Sequence, residues 1–206
     1  QTEKFWNGIA RIFDKVEKVD KKTYAQIIKK TRKYLKKSDN VLDFGCGTGL
    51  ISNEIAENVS LVHAIDFSPK MIEIAEKKAF GCGIQNICYT HSTLFDDKFE
   101  RGSFDVVIAS YVLHLLDDSQ KYIQRIIELL KPGGFFISAT PCLREKPVLN
   151  FLLSFMYKIG LVPKIIPLNF SELKNLITDE NFNAIETVYL HKNSAQYFIV
   201  AKKLIS

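Results

Sequence analysis

The feature that most constrains the fold is a regular alternation of short apolar runs with segments of helical spacing. The clearest run is FDVVIAS at 104–110, a continuous β-branched stretch typical of a central parallel strand. Shorter runs that we expect to be strands lie at 41–44, 61–65, 86–90 and 135–140. The expected helices between them lie at 50–58, 69–79 and 119–130. This alternation predicts a parallel sheet with helices on both faces.

The end of the chain departs from this rhythm. After a helix at 171–179, two expected strands at 184–190 and 197–202 are separated by only His191, Lys192, Asn193 and Ser194 and their immediate neighbours. So short a connection suits an antiparallel hairpin. The sequence therefore predicts an α/β fold with a mostly parallel seven-stranded sheet and a C-terminal antiparallel hairpin.

The length of 206 residues suggests one domain over 1–206, large enough to bury a sizeable core. Residues 1–40 are expected to form a helical N-terminal cap. Residues 142–170 fit neither the helix nor the strand pattern of the rest, and we expect a lid-like insertion there, with an apolar helix at 148–159 followed by a proline-marked loop.

Composition excludes several classes of protein. The chain is 47% hydrophobic and 25% charged, which is ordinary for a globular domain and unlike a disordered or collagen-like chain. Its four cysteines form no Cys-x-x-Cys pair, so we expect reduced thiols, no metal site and no disulfide framework. We find neither a signal-peptide pattern nor a clean transmembrane run, and therefore expect a cytoplasmic protein for which peripheral lipid contact stays open.

Charge is concentrated near the start of the chain. Residues 1–40 hold 12 Lys and Arg against 5 Asp and Glu, within a net charge of +5 for the whole chain. Such a segment can attract nucleic acid or a lipid surface, but lysines between apolar residues at helical spacing are more typical of a solvated helix face. Few aromatic residues interleave with the lysines, so we regard a nucleic-acid partner as unlikely.

A glycine cluster, Gly45-Cys46-Gly47-Thr48-Gly49, follows the first expected strand and opens a helix. Glycine permits a tight turn and close approach of a ligand to the backbone. The spacing differs from G-x-G-x-x-G, because Leu50 stands at the last position, and the Lys-Ser/Thr of a phosphate-binding loop is absent.

Asp66 ends the second expected strand, 19 residues after Gly47. An acid there can accept hydrogen bonds from both ribose hydroxyls of a nucleoside that lies over the glycine loop. Alternatively it caps the helix that begins at Ser68 and Pro69. The glycine loop and the acid together favour a nucleoside cofactor.

Four blocks in order make the sequence resemble class I S-adenosylmethionine-dependent methyltransferases, most of all the quinone and lipid methyltransferase-like branch that acts on small molecules. The blocks are VLDFGCGTG (41–49), AIDFSPKMIEIA (64–75), FDVVIASYVLHLLDD (104–118) and LKPGGFFISATP (130–141). The resemblance implies a Rossmann-like fold, S-adenosyl-L-methionine as cofactor and S-adenosyl-L-homocysteine as product.

The resemblance also implies roles for individual residues. The methionine end of the cofactor would be held by Asp43 and by the loop residues Gly45, Cys46, Gly47 and Gly49. Asp66 would bind the ribose, while Phe67 and Met71 would flank the adenine. Where the family often has Gly-Asp near the adenine, this chain has Ser92-Thr93, so the contact would come from Thr93 or from the backbone of Leu94.

Methyl transfer needs alignment of donor and acceptor, and a base only if the acceptor loses a proton. The segment Ser110 to His114 should face the methyl group. His114 is the candidate base, because histidine exchanges a proton near neutral pH; a structural role at a helix start is equally open. Tyr111 is a candidate positioning residue.

Two apolar segments are expected to close the site as a substrate lid. They contribute Trp6 and Phe13 from the N-terminal cap, and Phe151, Phe155 and Met156 from the insertion. Simple core packing of these residues is the alternative. An apolar lid would exclude water and admit an apolar substrate.

The sequence therefore predicts S-adenosylmethionine-dependent methyl transfer to a small, hydrophobic acceptor on oxygen, nitrogen or carbon. The Asn/Asp-Pro-Pro-Tyr/Phe signature of enzymes that methylate amino groups of adenine or glutamine is absent. Two alternatives stay open: methylation of RNA or protein with docking through the basic N-terminal helix, and a cofactor-binding protein without catalysis.

Overall fold

The computed structural model describes residues 2–17, 21–178, 181–191 and 195–205. Its helices are α1 (Thr2–Glu17), α2 (Lys21–Thr31), α3 (Leu50–Ile55), α4 (Pro69–Gly81), α5 (Ser119–Leu129), α6 (Pro147–Lys158) and α7 (Phe170–Ile177). Its strands are β1 (Asn40–Phe44), β2 (Leu61–Asp66), β3 (Ile87–His91), β4 (Phe104–Ser110), β5 (Leu130–Pro141), β6 (Phe182–Tyr189) and β7 (Gln196–Lys203). The expected end of the last helix at 179 and the turn residues 192–194 lie outside the described residues.

The seven strands form one sheet in the order β3-β2-β1-β4-β5-β7-β6. Neighbours from β3 to β5 are parallel, whereas β7 runs antiparallel to both β5 and β6. The predicted mostly parallel sheet with a terminal antiparallel hairpin is confirmed. Strand order reverses between β1 and β4, so the carboxyl ends of these two strands flank the crevice in which α/β sheets bind ligands.

Both faces of the sheet are buried, as the continuous apolar runs predict. Alternate residues of β1 and β4 enter two separate core clusters: Leu42 and Val107 lie in one, Val41 and Ile108 in the other. Side chains of a strand point to opposite faces in turn, so one strand supplies both layers. Helices cover each cluster.

One strand boundary differs from the sequence expectation. The expected helix at 119–130 and the expected strand at 135–140 leave residues 131–134 as a connection, but β5 already begins at Leu130. Leu130 pairs with Phe104, and the register then shifts before Val106. A Cβ on Gly134 would lie 2.8 Å from the carbonyl oxygen of Asp105, so this glycine lets the irregular stretch press against β4.

No helix within the described residues combines the length and apolar character that a membrane span requires. Among the same residues, no three His, Cys, Asp or Glu side chains are grouped as a metal ion would need.

Candidate active site

A cavity of about 750 Å³ opens at the carboxyl ends of β1, β2 and β4. That volume lies in the range of small-molecule sites, roughly 300–1,000 Å³. Its wall contains most residues that the sequence singled out for a ligand: Trp6, Phe13, Asp43, Gly45, Cys46, Gly47, Asp66, Phe67, Met71, Thr93, Ser110, Tyr111 and His114. Residues up to 108 positions apart in the sequence, Trp6 and His114, are thus brought to one crevice, and those that follow β1, β2 and β4 meet there because parallel strands end at the same edge of the sheet.

The glycine loop is fastened to the neighbouring strand. The backbone N–H groups of Gly45 and Cys46 both donate to the carbonyl oxygen of Ile65, at 2.8 and 3.0 Å. Gly45 has a φ of +70°, and a Cβ there would collide with the side chain of Val112. Gly47 has a φ of +54°, and its Cβ would lie 3.3 Å from Cε1 of Phe13. The glycines therefore serve both the turn and the close approach of the segments that face them.

Asp66 binds the glycine loop to the start of α4. Its Oδ2 accepts a hydrogen bond from the N–H of Gly47 at 3.0 Å, and its Oδ1 accepts one from the N–H of Ser68 at 2.8 Å. The helix cap itself is Ser68, whose Oγ accepts from the N–H of Met71. Burial raises the pKa of the Asp66 carboxyl, and the backbone donors oppose that rise. Both carboxylate oxygens keep a further lone pair for a ligand.

Asp43 lies deeper, at the end of β1. It is buried, and Ser52 Oγ donates to its Oδ2 at 2.5 Å. Burial raises the pKa of Asp43 to about 6, with the nearby Asp66 carboxylate acting in the same direction and the Ser52 hydrogen bond opposing it. Two partly desolvated carboxylates at adjacent strand ends favour a cationic group between them.

The opposite wall is formed by the chain that leaves β4. Tyr111 has a φ of +57°, a backbone conformation that is strained for a bulky residue. Its hydroxyl donates to Oε1 of Gln196 at 3.3 Å, and its ring centroid lies 5.5 Å from that of Tyr24. These contacts hold the strained turn that brings the short 3-10 helix Leu113–Leu115 back over the cavity.

His114 lies within that 3-10 helix and is buried. Burial lowers the pKa of its imidazole to about 4, so the ring is neutral at physiological pH. Its Nδ1 atom is buried and has no hydrogen-bond partner among the described residues. A neutral imidazole with an unused ring nitrogen at a cavity wall can accept or donate one hydrogen bond to a ligand.

Two further polar atoms of the cavity wall share this property. Trp6 Nε1 and Ser110 Oγ are buried without a hydrogen-bond partner among the described residues. A buried polar group left unsatisfied costs about 1–3 kcal/mol. Their grouping around one cavity indicates that a ligand or solvent molecule satisfies them.

Helix α1 carries Trp6 and Phe13, the two candidate lid residues of the N-terminal cap. Their rings pack edge to face with centroids 5.8 Å apart, and both line the cavity. Asn7 fastens the helix: its Oδ1 accepts from Ser68 Oγ at 2.7 Å and from the N–H of Lys70 at 3.3 Å. The role of Asn7 is not predictable from the sequence, because a single asparagine in an amphipathic segment carries no signal of a contact 61 residues away.

The expected lid residues of the insertion do not reach the cavity. Phe151 and Phe155 are exposed and Met156 is half-buried, and none of the three lines the cavity wall. They do not form core either, since α6 has no buried residue. In this structure α6 therefore does not contribute to the cavity wall, and its role as a substrate lid stays a prediction, because helical spacing reveals an apolar stripe but not the direction it faces.

Two other expected cofactor residues lie outside the cavity wall. Leu94 is fully buried in the core, and its carbonyl oxygen accepts from Nε of Arg125 at 3.0 Å. Gly49 caps α3 with a φ of +78°, and a Cβ there would collide with the Tyr89 hydroxyl. Gly49 thus serves helix packing, and the Leu94 side chain packs into the core.

The sequence analysis also missed an aromatic corner of the cavity. Phe95 and Tyr122 pack edge to face with centroids 5.1 Å apart, and Lys121 Nζ lies 4.9 Å from the Phe95 ring centroid. All three line the cavity. Phe95 is exposed although it is large and apolar. The only indication in the sequence that it belongs to the site is its position next to Thr93 and Leu94.

Comparison with known proteins places most of the chain in one family. The family model described as a methyltransferase domain matches residues 35–201. A ubiquinone biosynthesis O-methyltransferase from Shewanella sp. is 31% identical over 124 residues, which are 60% of this chain and 52% of the relative. An aklanonic acid methyltransferase from Streptomyces sp. is 36% identical over 109 residues, 52% of this chain and 50% of the relative. The chain thus spans about half the length of the curated relatives it matches.

Solved structures share the fold at low identity. A chain from the Haloferax volcanii complex between the Trm112 methyltransferase activator and a methyltransferase superposes with a TM-score of 0.83, at 15% identity over 99% of this chain and 98% of that one. A geranyl diphosphate methyltransferase in complex with S-adenosylmethionine gives 0.71, at 16% identity over 87% of this chain and 84% of that one. At these identities the likeness concerns the fold.

Proposed function

Because the chain belongs to the methyltransferase domain family, in which it is a class I member that uses S-adenosylmethionine, we propose that it transfers a methyl group to a small, apolar acceptor. The observation that carries the proposal is the division of the cavity. One side has two carboxylates and a glycine loop, and the other has aromatic rings and a neutral histidine. Relatives named for ubiquinone biosynthesis and for aklanonic acid support a small-molecule acceptor.

The residues of the polar side fit this cofactor. When bound, S-adenosylmethionine supplies an electrophilic methyl carbon on a sulfonium leaving group. Asp43 and Asp66 would attract its positive charges, and Asp66 has free lone pairs for hydroxyl donors. Met71 and Phe67 provide the apolar wall that an adenine ring needs. A side chain at Gly45 would collide with Val112 and one at Gly47 would meet Phe13, so only glycine leaves the backbone of this loop free for a ligand to approach.

His114 would hold the acceptor and accept its proton. As a neutral imidazole it offers Nδ1 as a hydrogen-bond acceptor to a hydroxyl or amine. A proton on the acceptor atom becomes strongly acidic as that atom gains a methyl group, so a weak base is sufficient. Tyr111 would position the turn that carries His114, and Trp6 with Phe13 would exclude water.

Docking of RNA through the N-terminal segment receives less support. Part of its charge is already paired: Lys30 with Glu186 at 2.7 Å, and Arg32 with Glu54 and Glu57. Salt-dependent RNA binding would revive that alternative.

Two measurements test the proposal. Calorimetric titration should show binding of S-adenosylmethionine, and Asp66→Asn should weaken it by about 1–3 kcal/mol, because one carboxylate oxygen that accepts a hydrogen bond is replaced by an amide group that only donates. Methyl transfer from labelled cofactor to a fractionated extract should label a small apolar product. His114→Gln should lower that transfer at least roughly tenfold while cofactor affinity stays unchanged. Binding without transfer to any fraction would favour a non-catalytic protein.

A further inference from the structure

We propose that α6 docks this protein on the surface of an anionic lipid bilayer. One side of the helix carries Val148, Phe151, Leu152 and Phe155, and Ile159 continues this side directly after the helix. Their side chains are 50–83% exposed. The spacing of i, i+3, i+4, i+7 and i+11 places all five on one stripe. We call this stripe the α6 apolar face.

The α6 apolar face points away from the protein. The residues of α6 with the least exposure are Asn150, Leu153 and Met156, which are half-buried; Asn150 and Leu153 lie on the other side of the helix, and Met156 borders the α6 apolar face. A surface helix normally turns its apolar stripe toward the core. A contiguous exposed apolar stripe of this kind marks a site of interaction with another apolar surface.

The length of α6 selects the type of membrane contact. Its 12 residues span about 18 Å at 1.5 Å per residue, against a hydrocarbon core of about 30 Å. An apolar helix of this length is usually buried in a core or lies in the membrane interface. Because the structure shows no buried residue in α6, the interfacial position fits.

The charges near the α6 apolar face indicate which partner binds it. Residues 146–168 contain Lys146, Lys158 and Lys164 and no acidic residue. Lys164 pairs with Asp117, at 2.5 Å, on an exposed surface. Two copies joined through this face would bring like charges together, whereas anionic headgroups would complement them. The lysines therefore favour a lipid surface over a second copy of the chain.

The segment that follows α6 connects it to the cavity. The N–H of Ile166 donates to the carbonyl oxygen of His114 at 2.7 Å, and Asp117, the partner of Lys164, lines the cavity together with His114. Docking of α6 would therefore bring the His114 side of the cavity toward the bilayer. Entry of an apolar acceptor from the lipid on this side rests on the proposed function. Docking of α6 on the bilayer does not depend on that function.

Flotation with extruded vesicles tests docking without cofactor or acceptor, so its outcome is separate from that of methyl transfer. Vesicles of phosphatidylglycerol mixed with phosphatidylcholine are compared with vesicles of phosphatidylcholine alone. The wild-type chain should float with the anionic vesicles, and less so at high salt. Thermal unfolding of each variant shows that it is folded.

Two double variants and one control variant test whether the α6 apolar face and its lysines bind the vesicles. Phe151→Ser with Phe155→Ser should reduce vesicle partitioning roughly tenfold or more, because two aromatic side chains no longer enter the interface. Lys146→Gln with Lys158→Gln should reduce it roughly tenfold on anionic vesicles only. Phe80→Ser, at a phenylalanine on α4 that is more exposed than Phe151 or Phe155, should leave vesicle partitioning unchanged.

Three outcomes would overturn the proposal. The first is that the Phe151/Phe155 variant floats as well as the wild type. The second is that the Phe80 variant loses as much vesicle partitioning as the Phe151/Phe155 variant, and the third is that the wild type does not float at all. If the wild type does not float and instead forms a dimer that the Phe151/Phe155 variant dissociates in sedimentation velocity, the occupant is a second copy of the chain.

Discussion

Helices α1 and α6 carry the same kind of sequence and occupy opposite environments. Both have aromatic residues at helical spacing, yet Trp6 and Phe13 of α1 line the cavity while Phe151 and Phe155 of α6 face solvent. The difference lies in what each helix finds beneath it. Asn7 of α1 accepts hydrogen bonds from Ser68 and Lys70 at the start of α4. The apolar stripe of α1 thus lies against the cavity because the start of α4 offers it hydrogen-bond partners.

The largest effect is expected from Gly47→Val. A side chain there meets Phe13 of α1 and adopts a positive φ, so we expect cofactor affinity to fall by roughly 2–3 kcal/mol in calorimetric titration. Gly160→Val, just after α6, is the matched control: its φ is +76° and nothing lies within 4 Å of its Cβ. That variant should lose stability from backbone strain alone and keep cofactor affinity. Equal affinity losses would remove the contrast between the two helices.

The cavity beneath α1 should also respond to pH, whereas α6 should not. Because burial raises the pKa of Asp43 to about 6, and raises that of Asp66, acidification protonates carboxylates that attract a cation. We expect cofactor affinity to weaken about tenfold from about pH 7.5 to about pH 5. His114, with a pKa lowered to about 4, stays neutral over that range.

Two comparisons check this assignment. Asp43→Asn should bind the cofactor weakly with a flatter pH profile. Vesicle flotation should not follow the titration of Asp43, since residues 146–168 contain no acidic side chain. An Asp43→Asn profile as steep as that of the wild type would assign the titration elsewhere.

A smaller effect is expected from Asn7→Ala. It removes the acceptor of two hydrogen bonds that hold α1 on α4, so cofactor affinity should fall by about 1 kcal/mol. Asn150→Ala, at a half-buried asparagine of α6, should leave affinity unchanged. Isothermal titration of both variants compares the helices directly. If neither variant differs from the wild type, Asn7 does not fasten the lid.

The smallest effect is expected from Phe155→Ala. Because its side chain is 55% exposed, the free energy of unfolding should change by less than about 0.5 kcal/mol in urea denaturation. Phe13→Ala, measured alongside, should cost about 1–2 kcal/mol, since the ring packs on Trp6. A large loss from Phe155→Ala would mean that α6 packs on the protein in solution.

Local patterns predicted most of the fold. FDVVIAS was assigned as a strand with its observed bounds, and Ser68 and Pro69 marked the start of α4. The glycine loop and Asp66 were recognised because their spacing follows from one β-α-β unit. The predicted start of β5 at residue 135 was wrong, because a proline and two glycines normally indicate a turn. Here the strand already begins at Leu130, and its pairing with β4 continues past them through a shift in register.

The sequence by itself determined the sheet, the glycine loop and the two carboxylates at adjacent strand ends, because each depends on periodicity or on spacing along one short unit. Only the tertiary structure decided that Asn7 fastens α1 to α4, that Leu94 turns into the core and that α6 faces outward. Those outcomes depend on which surfaces meet across long stretches of chain. The hydrophobic effect that drives them is non-directional, so a pattern of apolar residues cannot say which partner will cover it.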